Sequence, residues 1–533
     1  MHMADRSGVD QSASAGLSRR EAMHVGAFAV GGVMGAGLLA GCGGSDSHKT
    51  QTSPEKKAAR GGVLRVGVPG GSATDTLDPP RIVSNVARVT ALYDNVCERD
   101  ADMKLQMRLA QEIEIGKDAR TLTIRLRDGV EFHNGKALTV DDLLYNWRRI
   151  EDPKYPNNAV AKLGAIDLKR TRKLDKLTVR VALKGPNVQF PDNFGGTFGR
   201  IVPEGFDPKS PVGTGPFKYR SYRPGVTSTF VRNENYWGGD VLADELRILD
   251  IQDDTARVNA LISGELDMMA SLPASQIAQV QANPKFRALV GPTGTWLPFT
   301  MRVDKAPFDD VRVRQAFKLI VDRKQMLDQA LSGHGDIAND VYSRYDAPTE
   351  GAIPQREQDI EQAKSLLRAA GRSGLTVEIV TAPIFVGLVE AAQVFAQQAK
   401  GAGVNVKVRR VDNATIYGPN FLKWPFSQDY WFADPFVLMA DQTMIASASL
   451  NETHFNARGF DKLLDQISSE LDEAKRNDLI IEAKRVVRDQ GGYVIWGWPN
   501  IIDAYSTKVV GLKPSKYGTS LGNYDFARVG FAA

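Results

Sequence analysis

Apolar and polar residues alternate along Gly62-Val63-Leu64-Arg65-Val66-Gly67-Val68, along Thr121-Leu122-Thr123-Ile124-Arg125-Leu126-Arg127 and along Leu177-Thr178-Val179-Arg180-Val181-Ala182-Leu183. A period of two marks a strand with one buried face, so each segment predicts a β-strand. Residues 84–97 carry helical spacing instead. A second helix is expected from Thr139 to about Ile150, because Thr139 and Asp142 stand close to a capping-box spacing. Leu375–Val380 and Val404–Val408 alternate on either side of a helical stretch, 385–400, that stops at Gly401. Two strands joined through a helix should be parallel, with a right-handed crossover. Helices over 309–331, 357–370 and 457–490 complete an α/β pattern with α+β sections.

The first residues follow neither period. Ser18-Arg19-Arg20 precedes an uncharged, Gly/Ala-rich run from Ala22 to Ala40, which ends in Leu39-Ala40-Gly41-Cys42. Glycine is a poor helix former, and a twin arginine before a modest apolar stretch reads as an export signal. The arrangement resembles twin-arginine-exported bacterial lipoproteins, which implies cleavage after residue 41 and a lipid on Cys42. An ordinary signal peptide or a single membrane anchor is the alternative. The polar, small residues that follow, within 42–61, read as a flexible tether.

The chain has 533 residues, enough after removal of the signal for two or three domains. Its 42% hydrophobic and 24% charged residues are ordinary for a globular protein. A net charge of +4, with no basic stripe interleaved with aromatics, does not fit a nucleic-acid partner. No apolar stretch beyond Cys42 is long enough to span a bilayer. With Cys42 lipidated, Cys97 stands alone and is expected to be a buried structural thiol.

Four segments carry a family resemblance. They are Arg127-Asp128-Gly129-Val130-Glu131-Phe132-His133-Asn134-Gly135-Lys136 leading to Thr139-Val140-Asp141-Asp142; Val212-Gly213-Thr214-Gly215-Pro216-Phe217 followed by Arg232-Asn233-Glu234-Asn235-Tyr236-Trp237-Gly238-Gly239; Phe308-Asp309-Asp310-Val311-Arg312-Val313-Arg314-Gln315-Ala316-Phe317 with Asp322-Arg323; and Ala363-Lys364-Ser365-Leu366-Leu367 with Ala370-Gly371. In this order they resemble the peptide/nickel type, family 5, of ABC-transporter solute-binding proteins, over about residues 62–525. The resemblance implies a two-lobed periplasmic-binding-protein-like clamshell of the class II type. Lobe I would comprise 62–100, 205–300 and 500–533, with a small α+β subdomain from 101–204 packed on it. Lobe II would be 301–499. It also implies a monomer that hands a small solute to a membrane permease. The glycines of Gly213-Thr214-Gly215-Pro216 suit a tight turn rather than a phosphate loop, since Pro216 removes an amide donor. Arg312 and Arg314 are expected to pair with nearby acids.

Tyr417 to Phe436 holds eight aromatics in twenty residues, with Asp429 and Asp434 among them. Aromatic walls with one or two placed charges suit a small-solute pocket; a core segment with surface acids is the other reading. In peptide-binding relatives a tryptophan is followed three residues on by an acid that pairs with the peptide amino terminus. Trp431 and Asp434 keep that interval, although Pro435 follows at once. A buried carboxylate needs a cation or several donors, and an amine or guanidinium would satisfy Asp434, with Tyr430 or Trp431 for cation–π contact, which points to a cationic or zwitterionic solute: a short peptide, or an opine-like or polyamine-like compound. Trp296, Met301 and Glu452 are further candidate contacts, with His454 beside Glu452.

Two other classes compete. A lipid-anchored hydrolase would want a nucleophile elbow or a His-Glu-x-x-His, and neither occurs. A metal-chelate or haem scavenger would want clustered soft ligands, whereas His48, His133, His334 and His454 are scattered. No catalytic residue, metal site, cofactor or nucleic-acid partner is therefore expected.

Overall fold

A computed structural model describes residues 58–81, 86–347, 349, 351–446 and 448–533. Arg19, Arg20, Cys42 and most of the tether lie outside the described residues.

One twelve-stranded sheet runs through both lobes. Its spine is the strand Tyr493–Ser506. The first half of this strand pairs antiparallel with Leu297–Met301. Its second half pairs antiparallel with Phe286–Pro292. The chain thus crosses between lobes at 293–296 and again near 499. On one side, Val63–Val68 lies parallel to Glu245–Asp250. On the other, Thr376–Thr381 and Asn405–Arg410 pair in parallel through the helix Leu388–Gly401, as the alternation predicted.

The second lobe packs two apolar clusters on its sheet, one around Phe299, Phe317, Phe395 and Phe426, the other around Trp296, Tyr342, Phe436 and Tyr493. The first lobe is cored by Leu64, Val66, Phe217, Phe230 and Ile248. A separate four-stranded antiparallel sheet, Ala110–Ile115, Thr121–Leu126, Thr178–Ala182 and Arg172–Lys173, is covered by the helix Val140–Glu151 over Trp147, Phe190 and Phe194. Asp142 Oδ2 accepts the Thr139 N–H at 3.0 Å, which fixes the helix start where the spacing put it.

Four local expectations are corrected. The helix expected over 84–97 ends at Leu92, and Cys97 opens the strand Cys97–Arg99. The chain turns there because the Asp94 carboxylate is drawn to Thr214 and Trp237. The helix expected over 309–331 is two, Val311–Ile320 and Arg323–Ala330, because Asp322 caps the second through Gln325 N–H. Likewise 457–490 breaks into Phe460–Ser469 and Glu473–Gln490 at the cap Asp472. Arg312 does pair with Asp310 at 2.6 Å, but Arg314 donates to the backbone carbonyls of Phe308 and Gln490. At Gly213 and Gly215 the demand is close approach, since a Cβ on either would strike the backbone of Leu92 or Ala91.

Candidate functional site

The aromatic run enters the second lobe along the strand Phe426–Gln428, antiparallel to Leu297–Met301. Residues then alternate between the two faces of the sheet. Tyr430 turns to one face, where its ring meets Phe385 at 4.9 Å and Phe432 at 5.6 Å. Met301 is wholly buried in that same apolar cluster. Trp431 turns to the other face and forms an antiparallel bridge with Trp296.

On that second face four rings stack in a column. Trp431 lies 6.0 Å from Trp296 at 18°, Trp296 lies 5.6 Å from Tyr342 at 21°, and Tyr342 lies 4.8 Å from Phe436 at 4°. The Trp431 indole N–H donates to Glu452 Oε1 at 2.9 Å. Glu452 is also within 3.5 Å of the Thr300 hydroxyl. The structure therefore brings together Trp296, Trp431 and Glu452, whereas Asp434 lines a separate crevice with Arg99 and Asp346. It places Tyr430 and Met301 on the opposite face. His454 is drawn away to Asp304, at 3.7 Å, and to the Leu422 carbonyl.

Asp434 lies at the edge where the second lobe meets the small subdomain. The Ser343 hydroxyl donates to its backbone carbonyl at 2.7 Å, and Pro435 then starts the helix Phe436–Thr443. The N-terminus of that helix is held by Asp346, whose Oδ2 accepts the Phe436 N–H at 2.6 Å. The Asp434 carboxylate receives Lys162 Nζ at 3.1 Å on one oxygen and 3.3 Å on the other. Lys162 belongs to the short helix Val160–Leu163 of the subdomain, and its carbonyl is held by Asn193 Nδ2 at 2.8 Å. Burial pulls the Lys162 ammonium pKa down, but the adjacent Asp434 outweighs it and holds the group above its ordinary value.

A second pair stands beside the first. Arg99 forks onto Asp192 at 2.7 and 3.0 Å. Burial raises the Asp192 pKa against the opposing pull of Arg99. Arg99, Asp346, Asp434 and Tyr345 line a crevice between subdomain and second lobe whose free volume is about 10 Å³, room for one water. Two further contacts close this seam: Val188 N–H to the Ser468 carbonyl at 2.9 Å and Gln189 Nε2 to Asp346 at 3.4 Å. The cleft is shut.

Lys162, Arg99 and Asp346 escaped sequence reasoning. Lys162 is a lone cation in the short apolar stretch Ala159–Ile166, 272 residues before its partner. For Asp346 the only cue was an acid beside an aromatic, in Arg344-Tyr345-Asp346.

Among the described residues no helix is long and apolar enough to cross a membrane, and no group of three or more His, Cys, Asp or Glu is placed to hold a metal.

The profile for bacterial extracellular solute-binding proteins, family 5 Middle, matches residues 104–450. The chain is 29% identical over 309 residues to heme-binding protein A of Haemophilus influenzae, covering 52% of this chain and 56% of that protein. It is 24% identical over 458 residues to di/tripeptide-binding protein 2 of Pseudomonas aeruginosa, covering 79% and 85%. In fold it is similar to the periplasmic binding protein DppA of Helicobacter pylori in complex with the peptide STSA, with a TM-score of 0.76, 21% identity and coverage of 89% and 99%.

Proposed function

The chain belongs to the bacterial extracellular solute-binding proteins of family 5, and from that premise we propose that it captures a cationic or zwitterionic solute between its lobes and delivers it to the permease of an ABC importer. The solute classes in view are a short peptide, an amino-acid conjugate of the opine kind or a polyamine-like compound. The observation that carries this reading is Asp434. Its carboxylate stands where the subdomain meets the second lobe, three residues after Trp431 of the buried aromatic column, and its partner is an ammonium group. A site that holds one ammonium holds another, and a solute that reaches both sides of the seam favours closure through its differential affinity.

The Trp296 indole N–H and the Tyr342 hydroxyl add to this. Both are buried without a partner among the described residues, a cost of about 1–3 kcal/mol each that a solute carbonyl or a water offsets. Cys42 carries the lipid in this reading and keeps the protein at the outer face of a membrane, with cargo returned chemically unchanged. The twin arginine sends it out already folded, which suits a chain whose Cys97 needs no disulfide partner.

The likeness to heme-binding protein A favours a second reading, a haem scavenger. One experiment separates the two: mass spectrometry of the small molecule released from protein purified without denaturant. A solute bearing an amine or guanidinium is expected. A porphyrin, or a strongly acidic compound with no cationic group, overturns the proposal.

A further inference from the structure

The Lys162–Asp434 pair joins two bodies that must separate for any solute to enter. Its donor comes from the subdomain and its acceptor from the second lobe. Both side chains keep a little solvent access, 14% and 12%, so the pair is neither sealed in a core nor free on a surface. Among the described residues the two oxygens of Asp434 have no hydrogen-bond donor besides this ammonium. Lys162 is anchored through its backbone by Asn193, and its ammonium reaches Asp434 on a flexible stem. The neighbouring cation cannot substitute, because the Arg99 guanidinium is engaged in a forked pair with Asp192.

We propose that Lys162 is a specificity-determining residue of the cleft: its ammonium occupies on Asp434 the place of the solute's own amine, so that amine-bearing solutes bind by exchange and the same pair holds the empty cleft shut. This rests on the reading of Asp434 as the solute's anionic anchor. Its physical content is competition. A closed, empty state stabilised by Lys162 lowers the apparent affinity for every solute, by the fraction of protein it withdraws. A solute without a cation is rejected because displacing the ammonium would leave the Asp434 carboxylate unpaired.

The test compares the full mature chain with Lys162→Met and Lys162→Arg after exhaustive dialysis. Small-angle scattering reads compactness with no solute present. Lys162→Met should lower the closed population about fivefold, and Lys162→Arg should keep it. About 0.5 M NaCl should open the wild type and leave Lys162→Met unchanged. Equal compactness of wild type and Lys162→Met at low salt overturns the proposal, and the salt response of the wild type decides the matter even where a variant folds poorly. Trialanine and N-acetyl-trialanine are then titrated by calorimetry. Lys162→Met should bind trialanine about fivefold more tightly than wild type, and the acetylated peptide should remain the weaker ligand of both forms. Weaker binding of trialanine by Lys162→Met overturns the exchange. If neither peptide binds any form while Lys162→Met still opens, the peptide reading of the cleft fails and the closure role of Lys162 stands.

Discussion

Two carboxylates, Asp94 and Asp434, both sit where the small subdomain meets another body, and they are paired in opposite styles. Asp94 is almost wholly buried and receives the Thr214 hydroxyl at 3.0 Å, the Tyr236 hydroxyl at 3.0 Å, the Trp237 indole N–H at 2.9 Å and Arg108 at 3.2 Å. The Trp237 ring lies between the guanidinium groups of Arg108 and Arg127, at 5.2 and 5.5 Å. Asp434 receives one ammonium on a flexible stem. Rigid donors that saturate an anion fix an interface, because breaking it strands several polar groups at once. A single exchangeable cation leaves an interface able to open. On the proposed reading, the subdomain is locked to the first lobe and only latched to the second.

The largest expected effect breaks the locked side. Asp94→Ala strands Arg108, Thr214, Tyr236 and Trp237, and should lower unfolding stability by about 3–5 kcal/mol in urea titration. A loss under about 1 kcal/mol would show that this side is not locked.

Next in size is a pH effect on the same side. His133 bridges Gly213 N–H and the Gly215 carbonyl, and burial lowers its pKa from 6.5 to about 4. Between those values the unfolded chain takes up a proton that the folded chain refuses. Stability should therefore fall as pH drops from about 6.5 to about 4, by roughly 1 kcal/mol per unit from this group. Thermal melts of wild type and His133→Gln across that range check it, the variant showing the shallower slope.

Smaller still is the cost at the latched side. Asp434→Ala should lower unfolding stability by about 1–2 kcal/mol, since it strands one mostly buried ammonium rather than several donors. A loss as large as that of Asp94→Ala would erase the contrast between the two anions. The smallest effect is at Cys97, whose thiol is buried, donates to the Pro191 carbonyl and has its pKa raised by that burial. It should not react with a thiol-specific reagent until the chain unfolds.

The locked side was legible only in part: Asp94, which joins it, fell inside the helix expected over 84–97, while its other parts travel in short motifs. Tyr236 and Trp237 lie in one run, Thr214 in another and His133 in a third, and each run has its own turn or strand cue. The parallel unit over 374–410 and the capped helix after Thr139 were readable for the same reason: local period and local caps decide them. Helix ends were less legible where an acid such as Asp322 or Asp472 caps in mid-run, since apolar spacing continues through the break. The latch was half legible. Asp434 stood out as an acid among aromatics, whereas Lys162 had no signal, being one cation in a short apolar stretch whose partner is set only where two bodies meet. The aromatic run was also read as one wall, but the pleat of the sheet divides it, with Trp431 on the face of Trp296 and Tyr430 on the other.

The most direct test of the account is isothermal titration of the solute released from the native protein into wild type and Asp434→Ala. An affinity loss of at least about tenfold, with the fold intact by circular dichroism, is the predicted result for a charge-paired anchor. Equal affinity in the two proteins would contradict the assignment of Asp434 as the solute's anchor.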